Sequence, residues 1–117
     1  MSVATPTVSQ HFVRKSDGVK ATYERILKVA STFGEFSEDP KKTSIHLSRR
    51  TAFAGVATRK EALLLTVKAP QDIQSSRVRK HEQVSANRWH LEFSLSSPAE
   101  VDAELVNWLK EAYELSA

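Results

Sequence analysis

From Thr43 to Ala69 the chain alternates apolar and polar positions in three short runs. In Thr43-Ser44-Ile45-His46-Leu47-Ser48, strand geometry sends Ile45 and Leu47 to one side and Ser44, His46 and Ser48 to the other. Phe53 to Ala57 and Leu63 to Ala69 repeat the idea, and short charged or turn-forming stretches separate them, so the region predicts an antiparallel meander. Leu63-Leu64-Leu65-Thr66-Val67 is the most apolar run and belongs at the sheet centre. A fourth alternation, Arg88 to Ser96, sends Trp89, Leu91, Phe93 and Leu95 inward and Arg88, His90, Glu92 and Ser94 outward. Gly55 inside the second run signals a bulge or close approach by a helix.

Two stretches carry the helical period instead. Val19, Tyr23, Ile26, Leu27, Ala30 and Phe33 form one apolar stripe, opened by capping oxygens in Ser16-Asp17-Gly18 and closed by Gly34, a residue suited to a left-handed C-terminal cap. The second stripe is Val101, Leu105, Trp108, Leu109 and Ala112. Ser97-Pro98-Ala99-Glu100 ahead of it reads as a capping box with proline at the first helical position. Between these elements, Glu35 to Lys42 reads as a polar connection. Pro70 to Ser85 reads as a long surface loop with a brief strand near Val84.

The sum is one α+β domain over residues 11–117: an N-terminal helix, an antiparallel β-meander plus a further strand, and a C-terminal helix, with both helices packed on one face of the sheet. Residues 1–10 are aperiodic and read as a flexible leader. A length of 117 residues suits one domain. No cysteine occurs, so disulfide frameworks, thiol nucleophiles and thiolate metal sites are excluded. Met1 to Gln10 lacks an apolar signal core and no run approaches the ~20 residues of a membrane span, so the expected location is cytoplasmic, without membrane partners.

The net charge of +3 hides a polarity. Residues 41–90 hold 11 Lys/Arg against 3 Asp/Glu, whereas residues 91–117 hold 1 against 6. Lys41, Lys42, Arg49, Arg50, Arg59, Lys60, Arg77, Arg79 and Lys80 are therefore the candidate contacts for nucleic acid or another polyanion, because phosphate binding needs several cations on one surface. The competing reading is self-complementation, acidic helix against basic sheet, with basic hairpin tips guarding sheet edges. His46, Lys68, Arg88 and His90 share the outward strand phase and form a second candidate face, able to donate to a phosphate or carboxylate. No His pair at helical spacing supports a metal site, and no glycine-rich phosphate loop, nucleophile elbow or paired carboxylates support a cofactor or catalysis. A binding module ranks above an enzyme, with a protein-interaction or homodimerisation domain as the alternative.

His11-Phe12 before the first helix, Lys41-Lys42-Thr43-Ser44-Ile45 leading into the sheet, Asn87-Arg88-Trp89 at the last strand, and Ser97-Pro98-Ala99-Glu100-Val101-Asp102 through Trp108-Leu109-Lys110-Glu111-Ala112-Tyr113 carry a family resemblance. The chain resembles the DUF5655 family of bacterial domains of unknown function over nearly its whole length after the leader. That resemblance implies an α+β domain of bacterial origin and assigns no catalytic residue. The order of elements is also remotely similar to MmcQ/YjbR-like domains, a likeness that implies DNA binding for some members but rests on architecture alone.

Overall fold

The computed structural model describes residues 7–117. A 3-10 turn, Ser9–Phe12, leads into helix α1, Asp17–Ser31. Six strands follow: β1 Ser37–Pro40, β2 Ile45–Ser48, β3 Ala52–Thr58, β4 Leu63–Ala69, β5 Lys80–Ser85 and β6 Arg88–Leu95. A second 3-10 turn, Pro98–Glu100, precedes helix α2, Ala103–Leu115. The strands make one antiparallel sheet in the order β1-β2-β3-β4-β6-β5, so β3 and β4 are central and β1 and β5 are the edges.

Alternation decides what each strand buries. Ile45 pairs with Val56, Val56 with Leu65, and Leu65 with Phe93, which makes one continuous apolar row across four strands. Leu47, Ala54, Val67 and Leu91 make the next row, and both rows are closed from water by Val19, Tyr23 and Ile26 of α1 and Leu105, Leu109 and Ala112 of α2. Trp89 and Trp108 are partly buried against this core, and the Trp108 ring stacks on Phe93 at 5.3 Å. Each fully buried Leu or Ile here contributes on the order of 2 kcal/mol through the water it displaces. Among the described residues, no helix covers the opposite face of the sheet.

Several local expectations are corrected. Ser16 is the N-cap of α1, but its side chain makes no capping bond; its N–H donates instead to Lys60 O at 2.8 Å, fixing the helix start to the β3–β4 turn. The helix ends at Ser31 and Thr32 stays in the right-handed region, so Gly34 is not the cap; it does take a positive φ of 148° three residues beyond the helix. Ser97 makes no capping bond either. Glu100 accepts from Ser96 N–H, the chain makes a 3-10 turn, and Val101 leaves helical geometry to bury its side chain. The cap of α2 is Asp102, whose carboxylate accepts the Leu105 N–H at 3.1 Å.

The connection expected over residues 35–42 contains β1, a polar edge strand that ends on Pro40, where proline's missing N–H removes little from the ladder. The long loop resolves into a connection over residues 70–79 and β5, which is longer than the brief strand expected near Val84. Of the leader expected over residues 1–10, residues 1–6 lie outside the described residues; Val8 packs partly on the core, and Ser9 and Gln10 belong to the first 3-10 turn.

Candidate functional site

Strand direction sorts the basic residues into two groups. In an antiparallel meander successive turns fall at opposite ends of the sheet. Lys41 and Lys42, after β1, and Arg59 and Lys60, after β3, therefore share one end. Arg49 and Arg50, after β2, share the other end with Arg88, which opens β6 opposite the last residues of β4 and β5. The first end is buttressed by the N-terminal turn: His11 Nε2 donates to Lys41 O at 2.8 Å and Thr58 Oγ1 donates to His11 O at 2.6 Å.

Arg77 and Arg79 belong to neither end. Arg77 donates to Asp102 Oδ1 at 2.9 Å, to Glu104 Oε1 at 3.1 Å and to Glu100 O at 2.7 Å, so it clamps the connection over residues 70–79 onto the start of α2. Hydrogen bonding to Arg77 holds the Asp102 carboxyl below its usual range, and the Leu105 N–H adds to the effect. The same pairing with Asp102 raises the Arg77 pKa above its ordinary value. Arg79 pairs with Glu92 at 3.4 Å, while Lys80 starts the exposed edge strand. Part of the basic-middle, acidic-end polarity is therefore satisfied within the domain.

Arg49 is partly engaged as well: its guanidinium lies 4.4 Å over the Tyr113 ring and donates to Tyr113 O at 3.3 Å, placing a cation at the negative end of the α2 dipole. Lys41 pairs with Asp39 at 2.8 Å between two half-exposed side chains, a contact worth well under ~1 kcal/mol in water. Among the described residues Lys42, Arg50, Lys60 and Lys80 make no side-chain ion pair, and the Arg59 guanidinium donates only to Thr58 O.

The uncovered face of the sheet holds a hollow of about 270 Å³. Its walls include Ser44, His46, Thr66, Lys68, His90 and Glu92, so both outward histidines do border one concavity. They border it from opposite sides: His46 on β2 and His90 on β6 are separated by two intervening strands, a spacing of about 14 Å across the sheet. One small ion cannot touch both, and among the described residues no three His, Asp or Glu side chains converge as metal ligands.

The floor was not evident as such in the sequence. Gly55 pairs with His46 on one side and Thr66 on the other, facing the hollow, and Ala57 and Leu64 extend the apolar base. The bulge expected at Gly55 lies further along the same strand pair, where Ser48 pairs with Ala52 and Leu47 with Ala54, and among the described residues no helix approaches position 55. A Cβ there would meet only His46 Cδ2 at 3.9 Å and Thr66 Cβ at 4.0 Å, so the glycine leaves open space. The available signal was a glycine set among Ala52, Ala54 and Ala57.

Lys68 closes one end of the hollow. Its ammonium donates to Ser116 Oγ at 2.9 Å and Thr51 Oγ1 at 3.1 Å, two hydroxyls that carry no charge. Burial, and then repulsion from Arg88, push its pKa below the ordinary lysine value.

No helix among the described residues is long and apolar enough to cross a membrane. Comparison with curated proteins finds no match, and comparison with solved structures finds none either. Residues 8–116 match a family described as Domain of unknown function (DUF5655), which covers every element of the fold described above, and the chain belongs to that family.

Proposed function

We propose that this domain is a non-enzymatic binding module that contacts a polyanion, nucleic acid in the first instance, along its uncovered sheet face. The observation that carries the reading is the split of the turns: Lys41, Lys42, Arg59 and Lys60 form one basic rim, Arg50 and Arg88 the other, with Arg49 drawn back onto Tyr113 of α2, and a bare concave face lies between them. The seven residues of β4 set the gap at about 23 Å, or about seven nucleotide steps along one duplex strand. Both tryptophans pack toward the core, which favours phosphate contacts over base stacking and hence binding with little sequence preference.

Binding to mixed-sequence DNA and RNA across a salt series tests this. About five phosphate contacts predict a slope near −4.5 in log K against log salt on duplex DNA. Absence of binding at low salt, or affinity indifferent to salt, would remove the reading.

A second reading, self-association or protein contact, is favoured by β5. Every residue of this edge strand is exposed, its outer backbone faces no other described strand, and Val84 is 48% exposed. Such an edge can accept a further strand. Sedimentation that stays monomeric over a wide concentration range would count against a homodimer.

A further inference from the structure

We propose that the hollow in the uncovered sheet face binds a small organic carboxylate, with its anionic end against Lys68 and its apolar body over Gly55, Ala57 and Leu64. This site goes beyond the polyanion reading and uses none of the residues of the basic rims.

Charge argues for the anionic end. Lys68 is a partly buried ammonium whose bonds go to hydroxyls, and among the described residues no carboxylate lies within ion-pair distance of it or of Arg88, which donates to Asn87 O. The carboxylates on this side already face partners: Glu92, which lines the hollow, is paired with Arg79, and Glu82 lies 3.7 Å from His90 Nδ1. Lys68 and His90 are direct cross-strand partners and both line one end of the hollow, while Arg88, two residues along on the same face, lies outside its walls. A carboxylate there would offset the repulsion that Arg88 exerts on Lys68 and accept a hydrogen bond from the Lys68 ammonium.

The remaining surface sets the class. The volume is slightly below that of ordinary ligand sites, and the base away from Lys68 is carbon, supplied by the bare backbone of Gly55 and the side chains of Ala57 and Leu64. A polyphosphate would place further charge over that apolar base, where the walls away from Lys68 offer hydroxyls and an imidazole but no lysine or arginine. A compact acid with one charged end and a ring or short chain suits both parts.

The test is a two-dimensional ¹H–¹⁵N titration of the full chain with sodium benzoate, with benzamide as the neutral isostere. Benzoate should shift the Gly55, Thr66 and His90 amides with a Kd of about a millimolar, as expected of so small a ligand. Benzamide should bind at least about tenfold more weakly, the loss of roughly 1.4 kcal/mol or more. Lys68→Met should weaken benzoate by a similar factor, and Gly55→Val, which fills the floor with a strand-compatible side chain, should abolish the shifts. If Gly55→Val fails to fold, Lys68→Met and the benzamide comparison decide the matter. Lys42→Glu with Arg59→Glu should reduce DNA binding and leave benzoate binding unchanged, so failure of one site is distinguishable from failure of the other. The inference is overturned if benzoate produces no shifts in the hollow, if benzamide binds equally well, or if Lys68→Met is without effect.

Discussion

Gly34→Ala should be among the most damaging small substitutions in this domain, and the structure says why. At φ 148° the backbone of residue 34 lies where a side chain is strained, a cost of about 1–3 kcal/mol. An added Cβ would also fall inside van der Waals contact of Tyr113 Oη and 3.3 Å from Tyr113 Cζ. Tyr113 cannot step aside cheaply. It is 5% exposed, its hydroxyl donates to Glu35 O at 2.8 Å, and its ring packs edge-on against Phe53 at 5.3 Å and lies 5.7 Å from Phe33. Overpacking at such a site costs a further ~1–3 kcal/mol.

The sum of about 2–6 kcal/mol corresponds, for an unfolding entropy near 2.1 cal/mol/K per residue, to a Tm lower by about 8–24 °C. Urea unfolding followed by far-ultraviolet circular dichroism measures the loss directly. Tyr113→Phe separates the two causes. Removing the hydroxyl relieves the clash but leaves the backbone strain, so Gly34→Ala should cost about 1–2 kcal/mol less when combined with Tyr113→Phe than when made alone. A cost below about 0.5 kcal/mol for Gly34→Ala, or the same cost with and without Tyr113→Phe to within about 0.5 kcal/mol, would refute the reasoning.

Two further outcomes follow from charge. Tyr23 donates to Glu38 Oε1 at 2.6 Å, and burial, reinforced by that carboxylate, pushes its phenol far above the usual tyrosine range. Because the folded pKa is raised, this stabilisation is fully present below about pH 10 and is lost as pH rises beyond it. In Tyr113→Phe, where Tyr23 is the remaining tyrosine, absorbance at the phenolate band should rise only together with unfolding; phenolate in a folded chain near pH 10 would contradict it. Asp102 has the opposite sign: its folded pKa is depressed by Arg77, so its contribution is present above the ordinary aspartate pKa and lost as pH falls through the lowered value. Carbon-detected titration of Asp102 should show its pKa rising in Arg77→Ala, and an unchanged midpoint would argue that the clamp does not form in solution.

The parts of the fold that show in the sequence are those whose side chains report burial. Ile45 and Leu47, Leu91 through Leu95, and the stripe from Val19 to Ala30 alternate or recur because one face meets the core. β1 and β5 leave no such trace, since Ser37–Pro40 and Lys80–Ser85 are strands through backbone pairing at an edge and bury little or nothing. The start of α2 is illegible for another reason. Ser97 and Asp102 are both good capping residues, and the choice falls to Asp102 because Val101 turns into the core between them.

The candidate surfaces were half legible. Outward phase brings His46, Lys68 and His90 around one hollow, whereas Arg88, expected with them, is not among its walls. The division of the lysines and arginines between two ends follows from strand direction, and the capture of Arg77 by Asp102 and Glu104 joins residues 25 and 27 apart in sequence. Neither can be read from local pattern, although the excess of positive charge before residue 90 and of negative charge after it is what that contact leaves behind.

A polyanion laid across the bare face, as proposed, would touch both basic ends at once. Mapping backbone amide shifts on addition of mixed-sequence duplex DNA at low salt tests it most directly. Perturbation is expected at both sets of turns, around Lys42 and Lys60 at one end and around Arg50 and Arg88 at the other, with the helical face silent. Shifts confined to α1 and α2, or to one end of the sheet alone, would contradict it.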